Sequence, residues 1–194
     1  GDMLRRAVAD EAARLMIEHG LDDFGTAKRK AAERFGVTEH SVLPKNAEIE
    51  LALADRQRLF GADRHARDLA ALRQSALGVM RLLVRFDPRL VGPVLSGTAT
   101  RHSEIEVHVF ADSPEAVALS LLDARVAYKL TERRLRPRSQ RDESVAYPAI
   151  RFHFTGYEIE ATVFPEVGLR QAPMSPIDGR PMRRANTAEV EILL

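Results

Sequence analysis

Apolar positions along the chain change their period near residue 87. Before it the spacing is helical. Ala7, Ala12, Leu15, Met16 and Leu21 recur at three- to five-residue steps, which predicts an amphipathic helix ending at Gly20. A basic helix is predicted over 26–35, closed by Gly36. Asn46 is placed as the N-cap of a third, over 47–60, with Ile49, Leu53 and Leu59 apolar. A longer fourth helix over 62–86 carries the stripe Leu69, Leu72, Ala76, Met80 and Leu83, and Asp87-Pro88 stops it.

After Pro88 the period becomes two. Leu90-Val91 and Val94-Leu95 flank Pro93, the pattern of a short edge strand. The run 104–110 alternates polar and apolar up to Phe110. Pro114 then opens a helix reaching about Val126, and a strand is expected over 127–134. The basic run Arg133, Arg134, Arg136, Arg138 and Arg141 reads as a loop. Residues 149–154 and 157–164 around Thr155-Gly156 read as a hairpin. A Pro- and Gly-rich tail follows from Pro165, until Asn186 and Glu189 form a capping box for a last short helix. The expected fold is α+β: a helical N-terminal region, 3–86, packed on a small mixed sheet in a core of 87–194 with an irregular C-terminal tail.

Composition changes this picture little. Hydrophobic residues make up 45% and charged residues 29%, with a formal net charge of +1, which fits a globular domain and not a disordered chain. With no cysteine, disulfides, thiolate metal sites and cysteine nucleophiles are excluded. No apolar run approaches a membrane span, and the start Gly-Asp-Met shows no signal-peptide pattern. A cytoplasmic location is the expectation. Of the 29 basic residues only four are lysines, a bias that fits a GC-rich coding genome and is not itself evidence of nucleic-acid binding.

The chemistry concentrates in 95–109 and its echo in 157–163. Side chains two apart on a strand share a face, so Glu104, Glu106 and His108 share one face while Ile105, Val107 and Val109 take the core. Glu158 and Glu160 repeat the pattern. If the two strands are neighbours, three or four carboxylates converge. Such a cluster is repulsive unless compensated, and Mg²⁺ or Mn²⁺ would compensate it through hard oxygen ligands. His108 is a candidate ligand, and Arg151 with His153 a candidate pair for phosphate or acid contact. The tail could place Arg180, Arg183 and Arg184 near a phosphate.

The turn Gly97-Thr98, the acid strand Glu104-Ile105-Glu106 and the later acid in Ile159-Glu160-Ala161 (or Tyr157-Glu158-Ile159) together resemble the DNA polymerase beta-type nucleotidyltransferase superfamily. The resemblance covers roughly 90–164. It implies a mixed sheet with helices on one face, and metal-dependent nucleotidyl transfer from a nucleoside triphosphate to an unknown acceptor. It implies that Glu104 and Glu106, with Glu158 or Glu160, hold metal, that Glu160 orients the attacking group, and that Gly97 and Thr98 cradle the triphosphate. The chain departs from the family pattern with Thr98 in the turn and Glu where Asp is usual. The alternative is therefore a catalytically weak or inactive binding or regulatory module on the same fold.

A second alternative is DNA binding. The segment 31–42 has the spacing of a helix-turn-helix, with Gly36 at the turn, Val42 set to pack on Ala32, and Lys28, Arg29, Lys30 and Arg34 adding charge. Pro44 limits its second helix to about one turn.

Overall fold

The computed structural model describes residues 1–138 and 143–194. They form an α+β protein with a helical N-terminal region and a five-stranded mixed sheet. The chain divides into two compact units, 1–69 with 98–103, and 70–97 with 104–194. The division between the two units lies inside the long fourth helix. The reason is on that helix. Beyond residue 70 it buries Leu72, Ala76, Leu77, Val79 and Met80, and Ser75 bonds the backbone and side chain of the 154–155 turn within the sheet unit.

The first unit holds α1 (Asp2–Glu18), α2 (Phe24–Arg34), α3 (Asn46–Leu59) and the start of α4 (Ala62–Leu82). Its core is small and alanine-rich: Val8, Ala9, Ala12, Ala13 and Met16 meet Ala27, Ala31, Ala32, Ile49 and Leu53. Small side chains let α1 lie close against α2 and α3. Asp23 caps α2 by accepting from the Thr26 N–H at 2.8 Å and the Thr26 hydroxyl at 2.6 Å. Asn46 is not a cap. It is the first residue of α3, and its side-chain oxygen accepts from Lys28, while the Glu48 carboxylate accepts the Lys45 N–H. The 31–42 segment forms only a 3-10 turn, His40–Val42, after Gly36, so no recognition helix follows α2. Val37 and Leu43, not Val42, pack on the core.

In the second unit the strands are β1 (Arg89–Val91), β2 (Ile105–Phe110), β3 (Tyr128–Leu135), β4 (Val145–Phe154) and β5 (Tyr157–Phe164), in the order β1-β2-β5-β4-β3. Only β2 and β5 run parallel; α6 (Pro114–Asp123) leads out of β2 towards β3. The Thr155-Gly156 turn has positive φ at both residues, as a two-residue hairpin demands, and fixes the β4–β5 register. Ile105, Val107, Val109, Ile150 and Ile159 line the core face, each fully buried.

Two local expectations change. Val94-Leu95 lies not in a strand but in a short helix, α5 (Gly92–Ser96), because Pro93 fits a first helical turn. Arg133 and Arg134 belong to β3, so the basic run begins within the sheet; Arg141 lies outside the described residues. The tail crosses back over the sheet unit, bridging Met174 to Arg136 and Ala185 to Leu90, and ends in α7 (Thr187–Ile192), whose capping box is that of Asn186 and Glu189.

Candidate functional site: a carboxylate–guanidinium face

Because β2 and β5 are parallel neighbours, Glu106 lies directly beside Glu160. Glu104 precedes β2 on the same side, and Glu158 precedes Glu160 by two. The carboxylates foreseen on these strands do gather on one face. Two guanidinium groups stand among them. Arg151, opposite Glu160 on β4, donates to Glu104 at 2.7 Å, Glu158 at 2.8 Å and Glu160 at 2.9 Å. Arg133 from β3 lies 3.6 Å from both Glu106 and Glu160.

The electrostatics follow from burial. The Glu160 side chain is only 4% exposed, and loss of water pushes its carboxyl above the usual range. Arg133 and Arg151 oppose that rise, while Glu104 adds to it. Arg151 is driven the other way, more firmly cationic, first by its hydrogen bond to Glu104. The two shifts do not mirror each other because Arg151 gains from three carboxylates while Glu160 loses its hydration.

His108 lies further along the same face, buried at 2% exposure rather than at the surface. Its Nδ1 accepts from Arg184 at 3.0 Å, and its ring packs on Phe164. Burial, then Arg184 and Arg133, hold it well below the usual imidazole range. It is therefore neutral, with its proton on Nε2. Arg184 lies against the rings of Phe110 and Phe164, each 5.0 Å from its guanidinium carbon, and donates to the Gly168 carbonyl. Burial lowers its pKa to about 10, and its Nη2 is buried without an acceptor among the described residues. The tail thus does bring Arg184 to the sheet, as its basic residues suggested.

The turn residues are engaged elsewhere. Gly97, at φ +99°, closes α5 and donates its N–H to the Pro93 carbonyl. In the helical unit, the Thr98 hydroxyl donates to Glu50 at 2.6 Å and its carbonyl accepts from Gln57. The glycine that backs onto the acids is Gly92. It sits at φ +71°, and a Cβ there would run into the Glu106 carboxylate. The signal for Gly92 was its place at the end of β1, ahead of Pro93. The signal for Arg151 was the two-residue turn, which sets it opposite Glu160. Nothing local announced Arg133, whose register to β4 spans the 136–144 connection. His153 is exposed opposite Glu158.

Among the described residues no group of three or more His, Asp or Glu side chains is gathered for a metal ion. As they stand, these carboxylates turn to guanidinium groups and do not fit a divalent ion. A cavity of about 380 Å³ lies in the helical unit, lined by Ile17, Glu18, Gln57, Phe60, His65 and Arg101 among others, and contains none of the four glutamates. No helix among the described residues is long and apolar enough to cross a membrane. Comparison with protein-family models, curated proteins and solved structures gives no match to this chain.

Proposed function

We propose that the chain is a binding or regulatory module on a nucleotidyltransferase-like core, holding a nucleotide without transferring it. The observation that carries this reading is Arg151, whose guanidinium already takes Glu104, Glu158 and Glu160 at 2.7–2.9 Å. Metal-dependent transfer needs such carboxylates free to clamp two cations, and misplacement by about 1 Å costs on the order of 10²-fold. Here a fixed organic cation does the compensating. The nucleoside triphosphate implied by the sequence resemblance finds a donor in Arg184, since a buried guanidinium hydrogen without an acceptor favours an anionic oxygen.

The test is thermal melting with a nucleoside triphosphate, with and without Mg²⁺ or Mn²⁺, alongside a pyrophosphate-release assay. A ligand that binds only the folded state raises the melting temperature. The expected result is a rise that does not need metal, no pyrophosphate, and loss of the rise in Arg184→Met. Metal-dependent pyrophosphate release that disappears in the double variant Glu104→Gln with Glu106→Gln would establish the enzyme instead. No shift at millimolar nucleotide would end the binding reading.

A further inference from the structure

The sheet has two edges, and they differ. At one, β1 is three residues long and is covered by the bridge from Leu90 to Ala185. At the other, β3 runs eight residues, and among the described residues nothing pairs with its outer side until Arg136 bridges Met174. A long open strand presents a row of unpaired N–H and C=O groups. Apolar side chains stand exposed beside it. Leu130, in the middle of β3, is 58% exposed, and Leu119 and Leu122 on α6, which leads into β3, are 59% and 55% exposed.

We propose that β3 is a self-association edge, on which a second copy of this chain adds its own β3 antiparallel about a two-fold axis through Leu130. The occupant follows from charge and parity. A two-fold axis normal to the sheet keeps every residue on its own face, so opposite residues must both be odd- or both even-numbered. Four such registers pair five or more strand residues. Centred on Arg133 or Glu132, the pairing sets a charge against its own copy. Centred on Thr131, it sets Lys129 against Arg133. Centred on Leu130, it opposes no like charges: Leu130 meets Leu130, Lys129 meets Thr131 and Tyr128 meets Glu132. That register also covers the most exposed apolar side chain of the strand.

The chain has no cysteine, so a single introduced one reports the axis without interference. Paired residues on adjacent antiparallel strands hold their Cβ atoms about 4.5–5.5 Å apart, near disulfide reach. Under mild oxidation, Leu130→Cys should form a covalent dimer at least about tenfold faster than Glu132→Cys, whose copy lies four residues away along the partner strand. Sedimentation of the unmodified chain from about 1 µM to about 1 mM, the range of weak to moderate affinities, should show mass rising towards the dimer. Leu130→Lys should stay monomeric while keeping its circular dichroism and melting temperature, since the position is exposed. A monomer throughout that range, equal cross-linking at 130 and 132, or a dimer undiminished in Leu130→Lys would overturn the proposal.

Discussion

Two glutamates, one in each unit, are buried beside two arginines and respond in opposite ways. Glu11, in the helical unit, is 8% exposed. Arg14 reaches both of its oxygens at 2.9 and 2.7 Å, and Arg34 adds a third bond at 2.8 Å. The Arg14 hydrogen bonds, with that of Arg34, hold its pKa down to about 2. Glu160, in the sheet unit, is 3% exposed, yet its carboxyl is pushed up. It has one short bond, to Arg151, while Arg133 stays at 3.6 Å and Glu104 repels it. At Glu160 the loss of water outweighs both arginines, with Glu104 adding a smaller push, whereas at Glu11 the Arg14 hydrogen bonds outweigh burial; proximity of arginine alone does not decide the direction. In the helical unit Arg14 and Arg34 serve Glu11, with Glu18 also on Arg14; on the sheet Arg133 and Arg151 are shared among four glutamates.

Removing Arg151 should break the sheet's balance most severely. Arg151→Met leaves Glu104, Glu158 and buried Glu160 facing one another, and should cost about 3 kcal/mol or more in urea denaturation at pH 7. Mn²⁺ should recover part of that loss in the variant and far less in the unmodified chain. An Arg151→Met protein as stable as the original would show that the carboxylates do not strain one another.

A smaller contrast lies in two glycines with nearly the same backbone. Gly36 and Gly92 sit at φ +65° and +71°. Nothing lies within 4 Å of a Cβ built on Gly36, whereas one on Gly92 meets Glu106. Gly36→Ala should cost about 1 kcal/mol, the left-handed strain alone, and Gly92→Ala about 2–3 kcal/mol because Glu106 must also move. Equal costs would show that Glu106 is freer than its surroundings suggest.

The two glutamates themselves give opposite pH profiles. The Glu11 pKa is depressed when folded, so its contribution is complete above about pH 4.5 and is lost as pH falls through about 2. Glu11→Gln should therefore cost about 2 kcal/mol at pH 7, allowing for the solvent-open side of Arg34, and little at pH 2. The Glu160 pKa is raised when folded, so its contribution is complete below pH 4.5 and is lost as pH rises through the elevated folded value. Glu160→Gln should be neutral or more stable by up to about 1 kcal/mol at pH 8, a gain absent at pH 4.5. Parallel profiles for the two variants would remove the comparison.

Local pattern carried the architecture. The helical stripes, the alternation of 104–110, the hairpin at Thr155-Gly156 and the capping box at Asn186 depend on residues within a turn or a strand of each other, and each forms where its spacing placed it. The pairing of β2 with β5 was likewise legible, since both show the same acid alternation. What compensates the acids was not. Charge repulsion says only that a cation is needed; whether that cation is a metal or a guanidinium depends on which strand lies next to β5 and in what register. The hairpin turn already implied Arg151. Arg133 and Arg184, which packs on buried His108, come from segments 27 to 76 positions away along the chain, brought in by β3 and by the returning tail. The sequence by itself determined periods, turns and the sign of the charge on each strand face, because those are set by neighbours in the chain. Only the tertiary structure decided the partner of each charge and the glycine that makes room for Glu106, because water is excluded and distances are fixed only once distant segments are packed together.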